Sequence, residues 1–319
     1  MIVDREPSQN GNSALERMAE QFGDRLEHHV ALSQFTSFRT GGNARYFVRC
    51  TSAEQLVEAL KLASTLEIDT FLLGGGSNLL VSDSGFDGLV IKVDIRGLSQ
   101  PEPKLIESGA GEDLMALVDF ASECSLTGLE FAAGIWGSVG GAIYGNAGAY
   151  GGQIGNVVKD LTLIDRGGSM RTVDSDYCQF GYRDSHLKRS GEIVSTVRFA
   201  LTAGNRDEIV SKVNEIVAIR EAKFPPEGLS AGCFFKNIPD PTQPHGKLPA
   251  GKLLEEAGAK ELSVGGAVVY RGHANVILNS GSATSQDIAE LADILKKKVL
   301  EKFGIMLEEE VIRIGHFQT

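Results

Sequence analysis

The chain lacks the residues that would mark several common functions. Its four cysteines, Cys50, Cys124, Cys178 and Cys233, lie far apart and form no Cys-x-x-Cys pair. They read as free thiols in a reducing cytoplasm. Basic residues are outnumbered, 31 against 42 acidic ones, and the net charge of −11 leaves no basic face for a nucleic-acid backbone. A small anion is still within reach, because a few well-placed cations dominate a cleft. No apolar run approaches the roughly 18 residues needed to cross a bilayer. Residues 1–25 are polar, alternate in charge and have no signal-peptide core. The expectation is a soluble, cytoplasmic monomer with no metal, no nucleic-acid partner and no membrane partner.

Two familiar phosphate-binding patterns are missing as well. No Gly-x-Gly-x-x-Gly occurs, so a Rossmann cofactor site has no fingerprint. Residues 246–252 mimic the start of a P-loop, but Leu253 stands where a Ser or Thr would hold magnesium, and no strand precedes them.

What the chain does have is glycine. Its 38 residues exceed the roughly 7% of average usage, and they gather at 74–76, 134–155 and 265–272. Backbone rather than side chain is expected to meet a ligand there.

Length allows about two domains. Alternation and apolar runs predict strands over 46–50, 70–73, 89–93, 104–108, 161–165, 170–173 and 193–201. Ser52, with Gln55 three residues on, signals a helix start ahead of Leu56, Val57, Leu60 and Ala63. Further helices are expected over 13–22, 113–122, 205–223, 251–257 and 285–303; Pro225 closes the third of these and Gly304 the last. Segments 264–270, 274–279 and 311–314 read as strands, 134–151 as an ordered, partly buried loop, and 239–249 as a proline-rich loop. The texture changes near residue 204. This divides the chain into a polar extension (1–32), a first domain (33–204) and a second (205–319).

The strand at 70–73 runs into Gly74, Gly75, Gly76, Ser77 and Asn78, a turn whose unblocked N–H groups form a concavity suited to phosphate oxygens. Alone, that is a common pattern. With the second glycine segment it becomes specific: LLGGGSNLLVSDSGFDGLVI (72–91) and GLEFAAGIWGSVGGAIYGNAGAYGG (128–152) together resemble the UDP-N-acetylenolpyruvoylglucosamine reductases. The match is to their shorter form, which lacks a tyrosine-bearing insertion, and it runs from about residue 35 to residue 315. The resemblance implies an α+β chain. Its FAD-binding fold would be of the vanillyl-alcohol-oxidase (PCMH) type in two α/β lobes, followed by a C-terminal α+β substrate-binding domain whose last strand returns to the active site.

The same resemblance implies non-covalent FAD. Residues 74–78 would hold its pyrophosphate, and Gly134, Ile135, Gly137, Ser138, Gly141, Ala142, Asn146, Ala147 and Gly148 would line the flavin. Trp136 stands where that family usually has proline. NADPH would deliver hydride to flavin N5, and the hydride would pass to C3 of an enolpyruvyl ether in a peptidoglycan precursor. Arg183 in Gly-Tyr-Arg-Asp-Ser (181–185) would polarise the substrate carboxylate. Cys233 in Ala-Gly-Cys-Phe-Phe-Lys-Asn (231–237) occupies the proton-donor position that is serine in the family. Glu310 would be the catalytic glutamate of the last motif, with Glu308 and Glu309 beside it in a solvated acidic patch. Lys223, Asn237, His273 and Asn275 would bind the nucleotide-sugar substrate.

A thiol is a stronger acid than an alkyl hydroxyl, so activity is expected to survive at Cys233 with heightened sensitivity to thiol reagents. Two other readings stay open. One is a flavin oxidase of the same fold, although no His-plus-Cys arrangement for covalent flavin is evident. The other is an inactive nucleotide-binding module, for which Cys233 and Trp136 would be the signs.

Overall fold

The computed structural model describes residues 9–224, 229–243 and 246–318, with side-chain burial from residue 14 onward. The first lobe is a four-stranded sheet in the order Leu26–Ala31, Asn43–Cys50, Phe86–Val93, Thr70–Leu73. The last three are parallel, so each link between them crosses over the sheet. The first of these links is the helix Ala53–Thr65. It begins where expected: the Ser52 hydroxyl accepts the N–H of Gln55, a cap that typically contributes about 1 kcal/mol. Its buried residues, Leu56, Ala59, Leu60 and Ala63, repeat at helical spacing. Each buried leucine there contributes about 1.5–3 kcal/mol.

The second lobe is a five-stranded antiparallel sheet, ordered Met170–Asp174, Val158–Ile164, Ile193–Ala200, Leu105–Gly109, Leu98–Glu102. Helix Leu114–Glu123 packs with both sheets in one continuous core. Residues 205–223, which the sequence places in the second domain, pack on this same core through Val213 and Ile216 of helix Arg206–Lys223.

A separate apolar cluster gathers Phe234, Phe235, the helices Ala250–Glu256 and Ser285–Phe303, and a small sheet of Ser263–Val264, Ala267–Val269 and Ile277–Asn279. Phe38 and Leu80 reach into it from the first lobe. Strand Ile312–Ile314 then pairs in parallel with Leu79–Val81. No described helix is long and apolar enough to cross a membrane.

Three expected segments differ. The loop expected at 134–151 contains the helix Val139–Gly145, with the Ser138 hydroxyl accepting the N–H of Gly141. Small residues suit it, since Gly140 lies directly against Ala110. Part of the proline-rich loop is a hairpin pairing Ile238–Pro239 with Lys247–Leu248. The strand expected at 264–270 is two strands turning at Gly265 and Gly266. Strands Leu26–Ala31 and Leu79–Val81 escape the sequence pattern. The first is half exposed with no clean alternation, and the second has only three residues, all buried.

Candidate active site

Two glycine segments meet at the mouth of the first lobe. The Gly75 N–H donates to the Ser138 hydroxyl at 3.1 Å, and the Ser77 hydroxyl donates to the Trp136 carbonyl at 2.8 Å. A Cβ on Gly75 would stand 2.6 Å from the Cα of Gly137, and one on Gly74 2.6 Å from the Ser138 hydroxyl. The glycines here let one loop touch the other. Gly76 serves the same closeness from the other side: it has a φ of +71° and lies against the Phe35 carbonyl.

The joined loops floor a cleft of about 540 Å³, within the usual size of a cofactor site. Gly74, Gly75, Ser77, Gly137 and Ser138 line it, together with Arg39, Lys92 and Arg96. Lys92 is buried and donates to the Gly74 carbonyl, and burial pushes its ammonium below the ordinary lysine range. Cations beside a glycine-walled cleft suit a diphosphate, so these residues fit FAD.

Other residues expected at the flavin make bonds within the protein. Asn78 donates through Nδ2 to the Glu310 carbonyl at 2.9 Å and accepts the N–H of Ile312 at 3.1 Å. It therefore staples the first glycine loop to the C-terminal strand. Asn146 is buried in a left-handed turn. Its amide donates to the Gly181 carbonyl at 2.6 Å and accepts the Gly155 N–H at 3.1 Å, which fixes the segment leading to Arg183. Ala142 is buried in the core, and its carbonyl accepts the Ala147 N–H at 2.8 Å. The Ile135 N–H closes a turn on the Ala132 carbonyl at 3.0 Å. Gly134 makes room for Arg220, whose Cδ would be 2.8 Å from an added Cβ.

The three residues assigned to chemistry come together from distant segments. Arg183 sits in a tight turn with a φ of +52°. Its Nε donates to Oε1 of Glu310 at 2.6 Å, and its Nη1 to the Gly148 carbonyl at 2.9 Å. Glu310 is held by its own N–H, which donates to the Phe234 carbonyl at 2.8 Å, one residue from Cys233. Burial pushes the Cys233 thiol up to about 11; the Glu310 carboxylate adds to the rise, and Arg183 and Arg220 oppose it. The thiol is thus a more reluctant acid than the sequence implies. Cys233 is partly exposed, and its raised pKa keeps the sulfur protonated near neutrality, which works against the heightened sensitivity expected to thiol reagents.

Arg220 is a candidate site residue near Arg183 and Cys233 that the sequence does not single out. It continues the 209, 213, 216 face of its helix, where a charged residue is out of pattern. Its guanidinium lies 5.3 Å over the Tyr150 ring, and its buried Nε has no partner among the described residues. Burial lowers its pKa, and neighbouring Arg183 lowers it further.

Of the four substrate candidates, two make side-chain bonds within the protein. The Asn275 side chain is buried and takes both ends of the Phe235 backbone, accepting its N–H at 2.9 Å and donating to its carbonyl at 2.8 Å. The Asn237 Oδ1 accepts the N–H of Ala250 at 3.1 Å, at the start of helix Ala250–Glu256. Lys223 is exposed near His273, whose ring stacks on Phe224 at 5.9 Å. Burial and the charge of Lys223 hold that imidazole below its ordinary range. Glu309 is no solvated acid: Arg313 reaches it at 2.6 Å and Lys296 at 2.7 Å. Glu308 is exposed and pairs with Lys236.

Comparison with known proteins gives this geometry a context. A model described as the UDP-N-acetylenolpyruvoylglucosamine reductase C-terminal domain matches residues 225–314, and an FAD-binding-domain model matches 44–174. The UDP-N-acetylenolpyruvoylglucosamine reductase of Lachnoclostridium phytofermentans is 38% identical over 297 residues, 92% of this chain and 94% of that protein. The same-named protein of Caldicellulosiruptor bescii is 39% identical over 290 residues, 90% of each chain. A crystal structure of UDP-N-acetylenolpyruvylglucosamine reductase from Thermus caldophilus superposes with a TM-score of 0.75 at 33% identity, covering 91% of this chain and 99% of that one.

Proposed function

Because this chain belongs to the UDP-N-acetylenolpyruvoylglucosamine reductase family, an oxidoreductase family, we propose that it reduces the enolpyruvyl ether of UDP-N-acetylglucosamine-enolpyruvate to UDP-N-acetylmuramate. NADPH is the electron donor, and the product is a peptidoglycan precursor. The reading is carried by the meeting of Arg183, Cys233 and Glu310. Gly74, Gly75, Ser77, Gly137 and Ser138, with Lys92 and Arg96 beside them, would hold non-covalent FAD, which would supply two-electron transfer from NADPH to the substrate.

The chain's own residues handle the charge and the proton. Arg183 holds the substrate carboxylate and stabilises the negative charge that builds at C2 once C3 is reduced. The pairing with Glu310 and the bond to the Gly148 carbonyl fix the guanidinium before substrate arrives. Cys233 gives its proton to C2; a thiol near 11 surrenders it only to a base as strong as that carbanion. Solvent then returns a proton to the sulfur. Arg220 adds a second cation that favours the thiolate left behind. Lys223 and His273 bind the nucleotide end of the substrate.

Anaerobic reduction of the FAD-loaded protein by NADPH, followed by addition of the enolpyruvyl nucleotide, tests the reading. Bleaching by NADPH and return of the yellow colour with stoichiometric product is the expected result. A reduced protein that reoxidises only with oxygen would overturn the substrate and leave the oxidase reading.

A further inference from the structure

The cleft between the glycine loops carries one large group that nothing in the fold uses. Trp136 lines it, yet its side chain is 59% exposed, more than any other large hydrophobic residue among those described except Met306. Its backbone is fixed on every side. The Ile135 N–H bonds to Ala132, the Trp136 carbonyl accepts from Ser77 at 2.8 Å, and the Gly137 carbonyl accepts the Leu114 N–H at 2.9 Å. The indole thus projects from a rigid loop, more than half exposed and with no aromatic or cationic partner among the described residues. Phe35 is the other aromatic among the described lining residues, and it is already stacked on Phe47 at 5.1 Å. Apart from Gln34 and the aliphatic Leu229, the remaining lining is glycine, hydroxyl and charge, suited to phosphate more than to a flat ring. A dinucleotide bound there brings two flat rings joined by its diphosphate. A free, pre-oriented aromatic face beside a diphosphate cradle is what one of those rings needs.

We propose that Trp136 is a stacking platform for a ring of the bound dinucleotide, adenine or isoalloxazine, and so a determinant of FAD affinity specific to this chain. The inference rests on the FAD reading above. Proline at this position, as the resembled family has it, would keep the loop and remove the platform. Truncating the side chain leaves the Ser77 bond to the main-chain carbonyl intact, so Trp136→Ala is expected to fold normally.

Trp136 is the only tryptophan in the chain, which makes it its own reporter. In the flavin-free protein its emission is open to quenching by acrylamide. Saturating FAD is expected to cut that quenching constant by more than half. Calorimetric titration is expected to show FAD binding weakened about tenfold in Trp136→Ala and within about threefold of native in Trp136→Phe. Protection of the indole by ADP alone assigns the adenine; protection by FAD but not by ADP assigns the isoalloxazine. FAD bound to the native protein with the indole still fully open to acrylamide, and with equal affinity in Trp136→Ala, overturns the platform and leaves the FAD reading standing. A native protein that binds no FAD removes both.

Discussion

Arg183 and Glu310 lie 127 positions apart in sequence and meet through a 2.6 Å Nε to Oε1 hydrogen bond. Neither residue is on a long helix or strand. Each sits at the end of a short turn or bridge that other residues fix: Asn146 behind Arg183, Phe234 and Asn78 behind Glu310. Glu310→Gln keeps the shape and removes the charge that orients the guanidinium. Turnover is expected to fall by about 10²–10⁴-fold with FAD stoichiometry unchanged. Arg183→Lys gives up the planar fork and is expected to lose a similar amount. Steady-state kinetics of both variants, with flavin content measured in parallel, check this. Native turnover in either would remove the pair from the mechanism.

The buried thiols set an alkaline limit. Burial pushes Cys50 up to about 12 and Cys178 and Cys233 up to about 11, from an ordinary value of 9.0. Below pH 9 the folded and unfolded chains both keep these protons, and the groups do not affect stability. Between about 9 and 11 the unfolded chain ionises first, so stability falls by about 1.4 kcal/mol per pH unit for each thiol. The melting temperature is expected to be flat near neutrality and to drop steeply above pH 9, less steeply in Cys233→Ser. Peptide-level mass spectrometry after alkylation at pH 7 is expected to find the buried Cys50 and Cys178 far less modified than the partly exposed Cys124 and Cys233. Equal labelling of all four thiols would contradict the burial of Cys50 and Cys178.

Glu309 and Glu308 are neighbours with opposite expectations. Glu309 accepts from Arg313 through both carboxylate oxygens, at 2.6 and 2.9 Å, and from Lys296 at 2.7 Å, and Asp293 closes the cluster on helix Ser285–Phe303. Glu309→Gln is expected to cost about 1–3 kcal/mol and to lower turnover by loosening Glu310, with FAD affinity unchanged. Glu308→Gln breaks one exposed pair and is expected to cost less than about 1 kcal/mol. Thermal melts and turnover of the two variants decide it; equal effects would show that the cluster does not position Glu310.

Gly75→Ala forces a methyl to within 2.6 Å of the Gly137 Cα, so the two loops must part. FAD binding is expected to weaken at least about tenfold. Gly145→Ala meets nothing within 4 Å and lies in a helix, so it serves as the control and is expected to be neutral or slightly stabilising. Flavin absorbance retained after gel filtration separates the two.

The sequence pattern carried most of the helices because their signals are local. Ser52 caps its helix as read, the 205–223 helix stops at Phe224 ahead of Pro225, and Gly304 closes the last helix with a φ of +70°. The site was legible only as short motifs, since nothing local records that 183, 233 and 310 meet. Asparagines misled for a physical reason. An amide that satisfies a backbone, as Asn275 does for Phe235, reads the same as one waiting for a ligand. Three adjacent glutamates gave no hint that Glu309 faces two cations. Arg220 was visible only as a charge out of place on an apolar face.

The parallel pairing of Ile312–Ile314 with Leu79–Val81 sets an order of assembly. All but one of the described residues lining the cleft come before position 139, whereas Glu310 enters only when the chain has closed a loop of more than two hundred residues onto Asn78. Such distant contacts form late because loop-closure entropy must be overcome first. In refolding, colour and catalysis therefore part company: flavin uptake follows the early lobes, and turnover waits for the seam to close.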